Sequence, residues 1–293
     1  MILPAHATDC HMHVFGPFDR YPLAAERAYN VPEAPLAAHE GMKRRLGLER
    51  TVLVQASGYG YDNRAMLAAL AELGPRGRAV AVLDSMKGEK ELQHLHALGV
   101  RGVRLNLVTL ASRHPGDRAQ LIRGYERMLA PLGWHLQVYA DADALQALEP
   151  ALGRCSAAIV IDHMGLPDAA AGTGQPGFEA VLRLAAAKHV WVKLAGADRI
   201  TRGTGRVRDA IPFIRALAAA AGERLVWGSD WPHIGFHSGQ QVHSGEVLPF
   251  RDVNAGELLE VLFEAVGDSA TQRAILADNP ARLYGFQNGT RFA

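Results

Sequence analysis

Eight short, β-rich apolar runs recur along the chain with helix-patterned stretches between them, and this alternation constrains the fold more than any other feature. The runs cover 7–15, 51–57, 78–84, 100–107, 135–141, 157–165, 190–196 and 224–230. Several are continuously apolar, as expected of parallel strands covered by helices. Between them, Met66, Leu67, Leu70 and Leu73 fall at helical spacing, with Asp62 placed to cap that helix. Gly99 stands where a helix must end before a strand. Stretches 177–189 and 210–222 repeat the pattern, and 255–284 holds two more helical segments. Eight strand–helix units in 293 residues predict an α/β fold of the (β/α)8 barrel type, one domain spanning 1–293. A doubly wound sheet is the alternative, but it usually has fewer strands, and no Gly-rich phosphate loop follows the first run. The segment 16–50, rich in proline and aromatics, is expected to cross the barrel mouth.

Composition narrows the function classes. Hydrophobic residues at 48% and charged residues at 21% suit a large core and argue against disorder. A formal charge of +1 gives no pull toward nucleic acid or an acidic membrane. Cys10 and Cys155 are the only cysteines, which suggests a reduced compartment without a disulfide framework. The start of the chain is too short and interrupted for a signal peptide, and no apolar run nears the ~18 residues of a membrane span. A soluble cytoplasmic protein is expected. Nothing in the sequence speaks to oligomeric state.

Barrel active sites lie at the C-terminal strand ends. The first run ends with His11 and His13, whose spacing puts both on one face. The sixth ends with His163, on the parity of Ile159 and Ile161, and the eighth with Asp230, on the parity of Val226 and Gly228. The fourth carries Arg104 and Asn106 on the parity of Gly102. An arginine inside a barrel mouth needs an anionic partner, and Asp230 is one option. Ser57 lies on the face of Leu53 and Gln55, Tyr139 on the face of Gln137, and Arg199 in the loop after the seventh run. Alone, each of these reads as well as a structural residue: a hydrogen-bonded core histidine, a helix cap, an internal ion pair. Their concentration at the mouth predicts an active site.

The segments DCHMHVFGP (9–17), VLVQASGYGYDNRAML (52–67), GVRGVRLNLV (99–108), VIDHMGLPD (160–168) and VWGSDWPH (226–233) together resemble the amidohydrolase superfamily, and within it the branch containing 2-pyrone-4,6-dicarboxylate lactonase. The resemblance runs from about residue 7 to the DNPARLYGF segment, 278–286. It implies a (β/α)8 barrel that hydrolyses lactones, often without a metal. His11 and His13 match the branch's first-strand pair, His163 its sixth-strand histidine and Asp230 its eighth-strand aspartate. Tyr29, Ser57, Arg104, Tyr139 and Arg199 fall where the lactonase contacts substrate. One departure concerns a second arginine after the fourth strand that helps hold a substrate carboxylate; Leu110 occupies its place, with Arg113 three residues on.

His11, His13 and Asp230 could supply the three protein ligands of a catalytic zinc. A binuclear site would need a bridging lysine or glutamate on strand four and a histidine on strand five, where Arg104 and Tyr139 stand. A guanidinium binds no cation and repels one nearby. The expectation is therefore no cofactor, with a single zinc at His11, His13 and Asp230 as the alternative. Without metal, Asp230 would take a proton from water. His11, His13 and His163 would donate to the lactone carbonyl, helped by Tyr139, and Arg104 and Arg199 would clamp a carboxylate. The expected partner is a small anionic lactone or pyrone. The competing readings are a metal-dependent hydrolase or decarboxylase of the same superfamily, a lactone isomerase in the same pocket, and a catalytically silent metabolite-binding barrel. His233 reads equally as a residue behind the site or a surface-loop histidine; His237 and His243 read as loop residues.

Overall fold

The computed structural model describes residues 2–85, 87–108, 117–236 and 245–287. Its centre is one eight-stranded parallel sheet with the strands in chain order. They are β1 (Thr8–Met12), β2 (Arg50–Val54), β3 (Gly77–Ala81), β4 (Val100–Asn106), β5 (His135–Tyr139), β6 (Ile159–Ile161), β7 (Val190–Leu194) and β8 (Leu225–Trp227). The sheet closes on itself just past β8. Met12 bridges Trp231, the Asp230 amide donates to the His11 carbonyl at 2.8 Å, and the His13 amide donates to the Trp231 carbonyl at 2.9 Å. Each predicted run overlaps a strand, β2 and β3 beginning one residue ahead of theirs, so the fold is the (β/α)8 barrel and the doubly wound alternative is excluded. Most strands are shorter than their runs. The residues that leave the ladder at the C-terminal end, such as 55–57, 162–165 and 228–230, form the mouth.

Helices α1 (Leu36–Leu46), α2 (Arg64–Leu73), α3 (Glu89–Leu98), α4 (Arg118–Leu129), α5 (Ala142–Gly153), α6 (Pro176–Ala186), α7 (Ile211–Ala221) and α8 (Ala255–Val266) cover the outside. Ile159, Ile161, Val190, Val192 and Leu225 belong to the same buried cluster as Leu145, Phe178, Val181 and Leu217 of the helices. Each such side chain contributes about 1.5–3 kcal/mol on burial, and this holds the helices in place. The inner layer is Val52, Val54, Val80, Val160 and Val226 with Cys10 and Trp191, and Tyr284 and Phe286 join it. Tyr284 packs edge-on to His135, and Arg50 and Arg78 stack on Phe286, so the stretch 284–286 seals the N-terminal side of the barrel.

The segment between β1 and α1 does cross the mouth. Phe15 stacks on Tyr59, with ring centroids 5.8 Å apart, in a cluster with Tyr29, Val31 and Ile234. Gly99 closes α3 in the left-handed conformation at φ 106°. The residue at the cap position of α2 is Asn63, which makes no side-chain cap bond; Asp62, one residue earlier, accepts from the Arg64 amide at 3.1 Å and pairs with the Arg64 guanidinium. No helix among the described residues is long and apolar enough to cross a membrane. Leu110, Arg113, His237 and His243 lie outside the described residues.

Candidate active site

β1 begins in register with β2, Asp9 opposite Thr51, then slips so that Met12 faces Leu53. The extra residue is a β-bulge, a device that re-aims side chains beside active sites. Asp9 turns toward α1, accepting from His39 Nε2 at 2.9 Å. The same carboxylate accepts from Ser229 N at 2.9 Å, Ser229 Oγ at 2.5 Å and His11 N at 3.1 Å. It thus ties β1 to the chain leaving β8. His11 and His13 turn into the barrel, their rings perpendicular and 5.0 Å apart. His13 Nδ1 lies 2.8 Å from the Val54 carbonyl oxygen. A carbonyl only accepts, so Nδ1 carries the proton and the neutral ring presents a lone pair at Nε2.

His163 reaches the same place by a different route from the one its parity implies. Ile159 and Ile161 pack outward with the helices, so an extended chain would also turn residue 163 outward. β6 ends at Ile161, and His163 and Met164 are left-handed, at φ 50° and 57°. The turn swings the imidazole inward, 4.6 Å from the His11 ring. Asp230 is also left-handed, at φ 64°. Its Oδ1 lies 3.8 Å from His11 Nε2, 4.0 Å from His13 Nε2 and 4.0 Å from His163 Nε2. That oxygen is buried and has no hydrogen-bond partner among the described residues. Its companion Oδ2 accepts from Arg199 Nε at 2.5 Å. Arg199 comes from a single helical turn, Ala197–Ile200, which starts at Gly196 just after β7.

Arg104 is buried and ion-paired, but not with Asp230. Its Nε donates to Asp162 Oδ2 at 3.0 Å, and its guanidinium lies over the Tyr139 ring, 4.7 Å from the centroid. Tyr29 and Ser57 share a hydrogen bond at 2.8 Å. His13, Tyr29, Ser57, Arg104, Asn106, Tyr139, His163, Arg199 and Asp230 line one cavity of about 30 Å³, closed on a further side by Ile234. That is room for a water rather than a ring. His233 is buried behind it, its amide donating to the Asp230 carbonyl. The structure therefore brings together every site residue expected from the sequence. It adds four that were not: Asp9, Gln137, Asp162 and Lys193. Lys193 left a readable trace, a lone charge inside the apolar run VWVKL.

Burial lowers His13 and His163 to about 4 and holds His11 well below its ordinary value, so all three rings are neutral near pH 7. Burial alone would raise Asp230; the Arg199 guanidinium overrides it and holds the carboxyl well below the usual range. Burial raises Tyr139, so it stays a phenol.

His11, His13 and Asp230 offer ligand atoms within 4.8 Å of one another, and His11, Asp162 and His163 form an overlapping group. The first set fits one zinc-like ion in ligand type and number. The second fits poorly, because Asp162 already accepts from Arg104 and Gln137 and faces Lys193.

Comparison with known proteins places the chain in a family. Residues 8–286 match the family described as Amidohydrolase. The chain is 36% identical over 286 residues to a 4-sulfomuconolactone hydrolase of Rhizobium radiobacter, covering 97% of this chain and 91% of the relative. It is 34% identical over 292 residues to a 2-pyrone-4,6-dicarboxylate hydrolase of Comamonas testosteroni, covering 96% and 91%. A solved structure from Pseudomonas putida, described as a 2-pyrone-4,6-dicarboxylic acid hydrolase, superimposes with a TM-score of 0.76 at 36% identity, covering 97% of this chain and 99% of that one. A family match of this extent, on a barrel whose strand ends gather the histidines and the aspartate, makes the chain a member of the amidohydrolase family.

Proposed function

We propose that the protein hydrolyses a small lactone or pyrone carrying an acidic substituent, with Asp230 as general base and without a metal. The observation that carries this reading is the bare Asp230 Oδ1 facing three imidazoles in a cavity lined by Arg104 and Arg199. A water among these groups donates one hydrogen to Oδ1 and the other to the His13 Nε2 lone pair. Its oxygen is then aimed outward at the ring carbonyl. This places His13 as an acceptor rather than the carbonyl donor that its position in the sequence suggests. The growing oxyanion is met by His163, Tyr139 and the guanidinium groups, and each such donor supplies on the order of 10²–10³-fold. When the tetrahedral intermediate collapses, the proton held by Asp230 passes to the leaving ring oxygen. The relatives named above act on a sulfonated lactone and a dicarboxylated pyrone, and an anionic substituent suits the planar forks of Arg104 and Arg199. A substrate anion that draws on Arg199 also loosens its hold on Asp230, so the base strengthens once the ring is in place.

A metal-bound reading is favoured by one feature: His13 presents its lone pair, the ligating form, at Nε2. An ion held by His11, His13 and Asp230 would supply Lewis-acid polarisation and a more acidic water. Against it stands the charge already buried here, Arg104, Arg199 and Lys193 facing Asp162 and Asp230. The test is a pH-detected screen of carboxylated and sulfonated lactones and pyrones, with and without chelator. Chelator-insensitive ring opening is the expected result. Failure to open any of them would remove the function, and activity abolished by chelator would remove the metal-free mechanism.

A further inference from the structure

Beneath the reacting centre lies a polar chain in which nothing is exposed. Lys193, Gln137, Asp162 and His11 are each fully buried. Lys193 Nζ donates to Gln137 Oε1 at 2.7 Å, and Gln137 Nε2 donates to Asp162 Oδ2 at 2.8 Å. Arg104 Nε donates to the same Oδ2. Asp162 Oδ1 faces His11 Nδ1 at 3.4 Å and Lys193 Nζ at 3.5 Å. On its other side, His11 Nε2 faces Asp230 Oδ1 at 3.8 Å.

The direction of this chain is not free. An ammonium only donates and a carboxylate only accepts, so Gln137 can join them in one orientation: carbonyl toward Lys193, NH2 toward Asp162. With Oδ2 held by two donors, the Asp162 carboxylate is fixed in rotation and Oδ1 is turned to His11. A neutral imidazole has one proton, and two carboxylates flank this one. Asp162 Oδ1 is the nearer, while Asp230 Oδ1 is shared among three rings. The His11 proton therefore belongs on Nδ1, and Nε2 is left as a lone pair at the reacting centre, the same form that Val54 imposes on His13.

We propose that Lys193 and Gln137 are positioning residues: from the far side of the barrel core they hold Asp162 so that it fixes His11 as the Nδ1–H tautomer and seats the Arg104 guanidinium. The chain has no access to substrate; in metal sites, removing a partner that fixes a histidine's tautomer costs about 10- to 100-fold, and a fall of that order is expected here.

The test uses the intact protein labelled with ¹⁵N-histidine. In the wild type, His11 is expected to show a protonated Nδ1 and a bare Nε2 near pH 7; a proton found on Nε2 overturns the proposal. Lys193→Met and Gln137→Met each remove one link, the second without altering charge. Each is expected to mix the His11 tautomers while leaving His13, anchored on Val54, unchanged, and to lower turnover of whichever lactone the wild type opens by about 10- to 100-fold. Folded variants that keep both the wild-type tautomer and the wild-type rate overturn it. If neither variant folds, the wild-type spectrum decides. The spectrum needs no substrate, so it stands apart from any failure of the lactonase reading, on which only the turnover arm rests.

Discussion

Arg199 Nε sits 2.5 Å from Asp230 Oδ2, while the other oxygen of the same carboxylate has no hydrogen-bond partner among the described residues and faces three imidazole Nε2 atoms at 3.8–4.0 Å. One oxygen is neutralised and the other is left to react. The pairing keeps Asp230 ionised but makes it a weak base in the free protein. If a substrate anion shares Arg199, Asp230 becomes a stronger base in the complex. The acid limb of kcat, which reports the complex, is then expected at higher pH than the acid limb of kcat/KM, which reports the free protein. Coincident limbs would mean that Arg199 is not shared.

Asp230→Asn removes the base and keeps the shape. The expected result is a fall in kcat of at least about 10²-fold, the low end of what a positioned base contributes, in a variant that still folds but melts lower, because Arg199 loses its carboxylate partner. Near-wild-type turnover in a folded variant would move the base elsewhere in the site.

Gly228 passes so close to β1 that an added Cβ would lie 2.5 Å from His11 Cβ and 2.6 Å from the His11 amide nitrogen. Backbone cannot yield as a flexible side chain can. Gly228→Ala is expected to cost about 1–3 kcal/mol and to displace His11, lowering turnover along with thermal stability. Gly174→Ala, with nothing within 4 Å, serves as the control and should change neither. An unaltered melting point in Gly228→Ala would show that β1 and β8 can part there at little cost.

The barrel was legible because strands covered by helices tend to be apolar along their length, so several of the eight left a continuous apolar run and the rest a short β-rich one between helical stretches. His11, His13 and Asp230 were legible because each closes such a run. The inward place of His163 was not legible from parity, which points it outward; only the left-handed turn at 163–164 brings it in. The bulge in β1 has no local signature, since its cause is the set of donors that Asp9 gathers from α1 and the end of β8. Parity also assigns a face but not a neighbour across the barrel. Asp162 follows β6 and reaches Arg104 on β4 past Gln137 on β5, a relation that spacing along one strand does not encode.

Acid should destabilise the protein well before its carboxylates titrate. Burial lowers His13, His163 and His233 to about 4 and His135 to about 3, against about 6.5 in an unfolded chain. Between those values the unfolded state binds more protons, so stability rises with pH. Each ring contributes stability present above about pH 6.5 and lost toward pH 4, on the order of 3 kcal/mol at 1.36 kcal/mol per unit. Asp162 and Asp230 act in the same direction at lower pH, since both are held below their usual range. Thermal unfolding at pH 7.5, 6 and 5 should show a steady fall, and His163→Asn should flatten it. A melting temperature constant from 7.5 to 5 would mean that these rings already ionise in the folded protein.

The metal question turns on charge rather than on ligand count. His11, His13 and Asp230 could hold one ion, but Asp230 is already paired with Arg199, and Lys193 and Arg104 together outweigh Asp162. A divalent ion about 5 Å from a guanidinium is opposed by several kcal/mol at an effective dielectric of about 20, each 1.4 kcal/mol being tenfold in affinity. Removing that guanidinium should therefore create affinity that the wild type lacks. Purified protein is expected to carry no stoichiometric zinc by elemental analysis, and its turnover to survive chelation. In zinc titrations Arg199→Ala should bind at least about tenfold more tightly than wild type, an increase that Asp230→Asn in the same background abolishes. One zinc per wild-type chain, required for turnover, would instead show that the imidazole lone pairs outweigh the guanidinium charge and that the water is activated on a metal.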